Sequence, residues 1–242
     1  MNLCLAIDSS GRGGQVVLAA ETAVGDVLFL ARLEHDLARG NAETLFGLFD
    51  DALTVAGREK SEIQRVAVIQ GPGSFTGLRI GIMTAKGLAY ALSCELWSAA
   101  SLPLLAAESP EPCLALVGAG RGHGFVEHFG GAAGGGSGPA RLDAEGIASW
   151  AARLSCPQIR FSTSDAAAAE LVASPLLSGC TPVQVVAVES LARRALLGQA
   201  PAQRSEPAAL LPVYLAPSQA ERTHGIDLDS AVHTARPPES WG

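Results

Sequence analysis

The sequence predicts an α/β protein with a mixed β-sheet, organised as two subdomains followed by a tail. Short apolar runs typical of buried strands alternate with longer segments of helical period, in the order strands, helix, strand, helix. Hydrophobic residues make up 48% of the 242 residues and charged residues 17%, which supplies a sizeable core. We expect the subdomains to cover residues 1–100 and 101–217 and the tail to cover 218–242.

The first subdomain is expected to open with an antiparallel meander of strands and to continue with two helices. Its strands are predicted at residues 3–7, 15–20, 27–33 and 66–69. Asn41 is placed to cap a helix that runs to about Ala56. The second helix follows a tight turn within the segment QGPGSFTGLRIGIMTAKGLAYAL, residues 70–92.

The second subdomain is predicted to start near Ser101-Leu102-Pro103, with a short helix. Further strands are predicted at 113–117, 124–129, 159–161 and 212–215, and helices from a cap at Asp143 to Leu154 and over 188–197. The segment GGAAGGGSGPA, residues 130–140, is expected to be a flexible surface loop. The chain after Pro217 lacks an apolar period and is expected to be mobile.

The glycine-rich segment at 70–92 has three interpretations. A Walker phosphate loop requires G-x-x-x-x-G-K-[ST], and this chain has Leu-Arg after Gly77, so that interpretation fails. A looser phosphate cradle remains open, because the backbone amides of residues 73–76 lie at a helix N-terminus. A packing face explains more of the segment, because small residues recur at every fourth position: Gly77, Gly81, Ala85 and Ala89. The structural motif is taken to be Gly71, Gly73, Ser74, Gly77 and Gly81.

The first long helix carries more apolar residues than one core-facing stripe needs. They are Leu45, Phe46, Leu48, Phe49, Ala52, Leu53 and Ala56. An arc this wide either lies deep inside the fold or leaves surface for a partner helix, and we favour the partner. Arg79 and Lys86 share a face of the second helix and could meet an anion or an acidic partner, although solvated side chains are the usual case. The predicted partner or dimer interface is Leu45, Phe46, Leu48, Phe49, Ala52, Arg79 and Lys86.

Asp8, Ser9 and Ser10, at the end of the first strand, are the candidates for a nucleotide-proximal site. An acid and two hydroxyls at a strand end suit a phosphate or its magnesium ion. The alternative is a turn in which Asp8 bonds its own backbone, and the spacing alone favours the turn. Ser74 lacks the G-x-S-x-G frame of a hydrolase, so no catalytic residue is proposed.

Composition and spacing disfavour several classes of function. The formal net charge of −7 argues against a protein that binds nucleic acid by itself. Five cysteines and five histidines are scattered without C-x-x-C or H-x-x-x-H spacing, so neither a metal site nor a disulfide framework is expected. No stretch approaches the roughly 18 apolar residues of a membrane span. The first residues show no basic leader, so we expect a cytoplasmic protein.

Three stretches resemble the bacterial TsaB (YeaZ) family: LAIDSS at the start, GPGSFTGLRIGIMTAKGLAYAL with ASLPLLA in the middle, and PVYLA near the end. The resemblance implies a sugar-kinase/Hsp70/actin-like (ribonuclease H-like) fold of two subdomains. It implies a non-catalytic, activating role beside a TsaD-like subunit in the synthesis of N6-threonylcarbamoyladenosine (t6A) in tRNA. It further implies a TsaE-like ATPase in the complex, tRNA bound only by that complex, and a homodimer when the chain is alone.

The chain departs from the family pattern at four positions. Asn41 stands where the family has histidine, and Ala216 where it has arginine. Gly118 and Gly120 replace an acidic and a basic residue. The lost acid disfavours the alternative function, a small-molecule kinase or ATPase of the same superfamily, since phosphoryl transfer needs a second acid. No firmly bound cofactor is expected, and ATP or ADP, where it takes part, is expected at the interface shared with the partner.

Overall fold

The computed structural model describes residues 2–11, 13–36, 42–108, 111–130, 138–156 and 158–215. These residues form two β-sheets on either side of a shared helical layer, with further helices on the outer face of each sheet. Both sheets combine parallel and antiparallel strand pairs. The predicted α/β class with a mixed sheet is therefore confirmed.

The regular elements are numbered here in chain order. The strands are Leu3–Asp8 (β1), Gly13–Glu21 (β2), Val27–Asp36 (β3), Ile63–Ile69 (β4), Glu95–Ala99 (β5), Cys113–Gly120 (β6), His123–Phe129 (β7), Ala140–Asp143 (β8), Gln158–Ser162 (β9), Thr181–Val185 (β10) and Gln203–Arg204 (β11). The α-helices are Ala42–Ala56 (α1), Phe75–Ala91 (α2), Ser101–Ala106 (α3), Ala144–Leu154 (α4), Ala166–Val172 (α5) and Ala187–Leu197 (α6). Short 3₁₀ helices lie at Lys60–Glu62 and Pro175–Leu177.

The first sheet has the strand order β11-β5-β4-β1-β2-β3, and the second has the order β10-β9-β6-β7-β8. In the first sheet β1, β2 and β3 pair as the predicted antiparallel meander, whereas β4 and β5 continue the sheet in parallel with β1. The late strand β11 follows α6 in the sequence and pairs with β5. The first sheet therefore combines residues from both predicted subdomains, whose exact limits stay a prediction.

Alternation along the strands divides the apolar side chains among three layers. In β1, Leu3, Leu5 and Ile7 pack on the outer side with α1 and α2. Cys4 and Ala6 face the other way, into a layer that α3 and α6 fill between the two sheets. The outer face of the second sheet is covered by α4 and α5. The middle layer thus forms one core shared by both sheets.

Several elements differ from the sequence-based expectation. β5, α5, β8, β10 and β11 were not predicted, because they are short and most of them carry no continuous apolar run. The strand predicted at 212–215 is wrong: this segment forms no strand, and its backbone is held at Val213, whose N–H donates a 2.7 Å hydrogen bond to the Gln70 carbonyl. The predicted cap of α4 is confirmed, since Asp143 accepts a 2.9 Å hydrogen bond from the N–H of Gly146. The cap predicted at Asn41, most of the glycine-rich loop and the tail lie outside the described residues.

The small residues of α2 press against the end of β1, as the packing interpretation predicts. A Cβ atom on Gly77 would lie 2.0 Å from the carbonyl oxygen of Ser9, and one on Gly81 would lie 2.1 Å from the Ser9 hydroxyl. That hydroxyl donates a 2.8 Å hydrogen bond to the Gly77 carbonyl. Ala85 and Ala89 extend the same buried face. The glycines therefore set the distance between helix and sheet.

Two glycines of the same helix provide a matched test of this close approach. We expect Gly77→Ala to lower the free energy of unfolding by about 3 kcal/mol, because the new methyl group meets a backbone carbonyl that cannot rotate away. Gly87→Ala should raise it by about 0.5–1 kcal/mol, because that position is open and alanine favours the helix. Urea denaturation measures both changes. Equal effects at the two positions would contradict the packing assignment.

Candidate functional site

The candidate site lies where the carboxyl ends of β1 and β9 meet, at the edge of the shared core. Residues 8–11 leave β1, and residues 162–165 leave β9. A Cβ atom on Gly11 would lie 2.7 Å from the carbonyl oxygen of Ser164, so the two loops touch. Strand ends at such a junction are the usual place for ligands in α/β folds.

Asp8 lies at the centre of this junction and is fully buried. One carboxylate oxygen accepts hydrogen bonds from the Ser10 N–H at 2.9 Å and the Ser10 hydroxyl at 2.6 Å. The other accepts a 3.3 Å hydrogen bond from the hydroxyl of Ser164, on the opposite sheet. The turn that the spacing favoured is thereby confirmed, and Asp8 in addition links the two sheets.

Burial raises the pKa of the Asp8 carboxyl above its usual 3.8, and the negative charge of Asp165 adds to the rise. The hydrogen bonds from Ser10 and Ser164 stabilise the carboxylate and oppose part of that change. The folded protein therefore binds this proton more tightly than the unfolded chain does.

Ser9 and Ser10, the other two candidates at this strand end, are also engaged within the chain. The Ser9 hydroxyl is bonded to α2, and the Ser10 carbonyl accepts a 2.7 Å hydrogen bond from the N–H of Ser74, which caps that helix. A Cβ atom on Gly73 would lie 2.7 Å from the Ser10 Cβ atom. Of the amides in the predicted phosphate cradle, that of Ser74 is therefore used within the chain.

Asp165 is a member of the site that the sequence analysis missed. Its carboxylate caps α5 through the N–H of Ala168 at 2.9 Å and accepts a 2.7 Å hydrogen bond from the N–H of Gly118. The aspartate before the alanine-rich run of α5 is an N-cap signal, but nothing in the sequence pairs it with residue 118. A Cβ atom on Gly118 would lie 2.6 Å from the Cβ atom of Ala167. Close packing therefore requires glycine at position 118, where the family pattern has an acidic residue.

A row of acceptor side chains crosses the first sheet beside Asp8. The strand register sets Gln15 opposite both Asp8 and Glu34. The Gln15 amide donates a 3.0 Å hydrogen bond to Glu34, while its own carbonyl oxygen, Oε1, is buried and accepts no hydrogen bond from the residues that the structure describes. Such a row suits a donor or a cation better than a phosphate. A phosphate between Asp8 and Ser164 would require the two loops to separate.

The predicted interface on α1 needs correction. Leu45, Leu48, Phe49, Ala52 and Leu53 are buried in the chain's own core. The wide apolar arc is buried within the chain, because α1 packs on β2 and β3 on one side and on α2 on the other. The inference that the arc leaves a free surface is therefore wrong for these residues, and only Phe46, which is 42% exposed, presents a large apolar side chain from the predicted set.

The outward face of α2, by contrast, carries an exposed apolar stripe. Met83 is 65% exposed and Tyr90 is 87% exposed, and Ile80 is half-buried beside them. These residues and the exposed Gly87 follow one another at intervals of three and four, so they share one face of the helix. Lys86 is half-buried nearby. We call Ile80, Met83, Gly87 and Tyr90 the outer stripe of α2.

The first turn of α2 holds a cluster of rings and one cation. The rings of Phe75 and Tyr214 stack with centroids 4.6 Å apart, and the guanidinium carbon of Arg79 lies 4.1 Å from the Phe75 centroid. The Nε atom of Arg79 donates a 3.0 Å hydrogen bond to the Tyr214 hydroxyl. The segment predicted as a late strand therefore closes over the start of α2 instead.

The described residues hold no group of three or more histidine, cysteine, aspartate or glutamate side chains arranged for a metal ion. Burial raises the pKa of the Cys4 thiol to about 12, so this cysteine behaves as a small apolar residue. No helix in the described part of the chain has the length and apolarity that crossing a membrane requires.

Comparison with known proteins adds sequence relatives for part of the chain. A family model described as TsaD, tRNA N6-adenosine threonylcarbamoyltransferase, matches residues 35–128. The tRNA threonylcarbamoyladenosine biosynthesis protein TsaB of Escherichia coli K12 is 32% identical over 102 residues, covering 42% of this chain and 42% of that protein. A tRNA N6-adenosine threonylcarbamoyltransferase of Geotalea uraniireducens is 42% identical over 59 residues, covering 24% and 17%. The matches span less than half of either relative.

A solved structure, YeaZ from Pseudomonas aeruginosa, shares the fold over most of the chain. It superposes with a TM-score of 0.62 and 24% identity, covering 89% of this chain and all of that protein. The likeness confirms the two-subdomain, actin-like α/β architecture. Together with the sequence matches, it confirms the predicted resemblance to the TsaB (YeaZ) family.

The raised pKa of Asp8 predicts how stability depends on pH. Between its unfolded and folded pKa values this group binds more protons in the folded state, so its contribution to the free energy of unfolding falls as pH rises through that range. Asp8→Asn, which keeps the shape and an acceptor oxygen, should remove this slope and be as stable as the native chain at pH 7, or more so. Each unit of difference between the folded and unfolded pKa values changes the free energy of unfolding by about 1.4 kcal/mol across that range.

Asp8→Ala serves as the contrasting variant. It leaves the hydroxyls of Ser10 and Ser164 without their acceptor, and we expect it to cost about 1–3 kcal/mol. Urea denaturation of the three proteins between pH 4 and pH 8 makes the comparison. An Asp8→Asn protein clearly less stable than the native chain at pH 7 would show that the carboxylate is favoured by folding, against the prediction.

Restoring the family's acid at residue 118 should destabilise this chain. Gly118→Asp places a side chain against Ala167 and a second negative charge beside Asp165, and we expect a loss of about 2 kcal/mol or more. Gly179→Ala, at an open position near β10, is the control and should change stability by less than about 0.5 kcal/mol. Thermal denaturation of both variants tests the difference, and a stable Gly118→Asp protein would sink the close-packing explanation.

Proposed function

We propose that this chain is a non-catalytic scaffold subunit for t6A synthesis in tRNA, which binds and stabilises a TsaD-like catalytic subunit. The observation that carries the proposal is the outer stripe of α2, an apolar surface on a helix whose other face is fixed in the core. The names of the sequence relatives point to this pathway.

The inter-sheet junction supports a binding role over a catalytic one. Its acidic groups are used to join parts of the chain: Asp8 links the two sheets, and Asp165 caps α5 and holds Gly118. A phosphoryl-transfer site needs an acid free to hold a metal ion or take a proton.

The outer stripe supports a helical partner. Ile80, Met83 and Tyr90 give apolar contact area, and Gly87 allows another helix to approach closely. Phe46 is an exposed apolar side chain on α1, which packs beside α2. The same face would join two copies of the chain when the partner is absent, so the homodimer and the complex with the TsaD-like subunit would exclude each other.

The remaining parts of the proposal concern the assembled complex in the cytoplasm. A TsaE-like ATPase joins it, ATP or ADP binds at the interface shared with the catalytic subunit, and tRNA is bound by the complex. The negative net charge of this chain leaves the basic surface for RNA to its partner.

A second candidate function is a small-molecule kinase or ATPase of the same superfamily. The buried Asp8 and the unpaired carbonyl oxygen of Gln15 favour it, because they offer acceptors at the place where such enzymes bind their ligands. Magnesium-dependent ATP turnover by the purified chain, abolished in Asp8→Ala but kept in Gly179→Ala, would establish this function in place of the scaffold.

The scaffold proposal predicts that the outer stripe controls assembly. Met83→Glu should weaken binding to the TsaD-like subunit of the same genome more than about tenfold, because a charge is buried in an apolar contact. Leu176→Glu, at a residue 60% exposed beside the second sheet, is the matched control and should bind normally. Copurification and calorimetry measure the binding.

An activity assay completes the test. Modification of tRNA by the catalytic subunit should depend on this chain, and Met83→Glu should reduce it in parallel with binding. Unchanged t6A formation when the chain is omitted would disprove the proposed function.

A further inference from the structure

Arg79 of α2 is held by two aromatic side chains. Six arginines of the described residues form ion pairs with acidic side chains, and Arg79 is not among them. Arg79 is nevertheless fixed in place, by the face of Phe75 and the hydroxyl of Tyr214. The side chain is exposed although its position is constrained.

These contacts leave the Nη groups of the Arg79 guanidinium as hydrogen-bond donors for a ligand. The hydrogen bond to Tyr214 uses the Nε atom of Arg79. Within the described residues, the two Nη groups make no hydrogen bond or ion pair. Two parallel N–H groups on a planar guanidinium match the two oxygens of a carboxylate. Because the rings already restrict the side chain, less conformational entropy is lost when an anion binds.

The charge of α2 agrees with a negatively charged ligand. The helix contains Arg79 and Lys86 and no acidic residue, in a chain whose net charge is −7. Both cations lie on the helix that carries the outer stripe, and Arg79 directly precedes Ile80. An anion bound by Arg79 would therefore lie at the edge of an apolar contact surface, where electrostatic pairs select the partner and its orientation.

We infer that Arg79, positioned by Phe75 and Tyr214, binds a carboxylate of the protein that packs on the outer stripe and thereby determines which partner is accepted. The inference rests on the proposed function, because it assumes that a protein covers this face. A protein carboxylate is favoured over an RNA phosphate because apolar residues adjoin the arginine on one side. The Phe75 ring is already in contact with both Arg79 and Tyr214.

The test is the affinity of the full-length chain for the TsaD-like subunit, measured by calorimetry at low and high salt. Arg79→Ala should weaken binding about tenfold and flatten its dependence on salt, because a charged pair is lost. Arg79→Lys should not restore the native affinity, because an ammonium group lacks the planar fork. Tyr214→Phe keeps the stacked ring but frees Nε, and it should weaken binding a few-fold.

Arg153→Ala, at an exposed arginine of α4, is the control and should bind as the native chain does. If Arg79→Ala matches this control while the native chain binds, the inference is overturned and the proposed function stands. Full affinity in Arg79→Lys also overturns it. A loss of tRNA binding by the complex with unchanged protein affinity would assign Arg79 to RNA instead. A native chain that does not bind the TsaD-like subunit at all refutes the proposed function and, with it, this inference.

Discussion

The close contact between α2 and the end of β1 is the constraint on which the rest of the structure depends. Gly77 and Gly81 have no side chain to hold the helix away, so the Ser9 hydroxyl reaches a backbone carbonyl inside the helix. The turn before α2 is also joined to the helical layer between the sheets. Ser101, at the start of α3, donates hydrogen bonds from its N–H to the Gly71 carbonyl and from its hydroxyl to the Pro72 carbonyl. β1, α2 and α3 are thus assembled around one turn.

The layer between the sheets is held by polar contacts at its helix ends. The final carbonyl groups of a helix lack partners within the helix, and burying them unpaired is costly. Arg65 donates to the carbonyls of Ala195 and Leu196 at 2.6 Å each, which completes α6. The buried Arg160 donates to Ala106, at the end of α3. Because both sheets contribute to the core around these helices, separating them would expose apolar surface and break these bonds. These contacts therefore hold the two sheets against the helical layer between them.

The sequence predicts this fold well where one local signal is sufficient. The recurrence of small residues at every fourth position of α2 predicted its packing face, since the helical period alone places those residues on one side. The wide apolar arc of α1 led to a wrong prediction of a free surface. The sequence does not show that this helix contacts a sheet and a second helix at the same time. The pairing of Asp8 with Ser164 was beyond prediction for a related reason: the residues are 156 positions apart, and a hydroxyl carries no signal of its distant acceptor. β10 was missed because it contains a proline and exposed polar residues at a sheet edge.

The two faces of α2 differ in what they contact. The inner face must be small, since any added atom would strike Ser9, and this constraint fixes the helix in position and rotation. A helix fixed in this way presents its outer face in one orientation only. Met83 and Tyr90 on that face are largely exposed in the described part of the chain, and such exposure is costly unless another surface covers them. The glycines of the motif therefore fix the position of α2, and this position leaves the apolar side chains of Met83 and Tyr90 exposed.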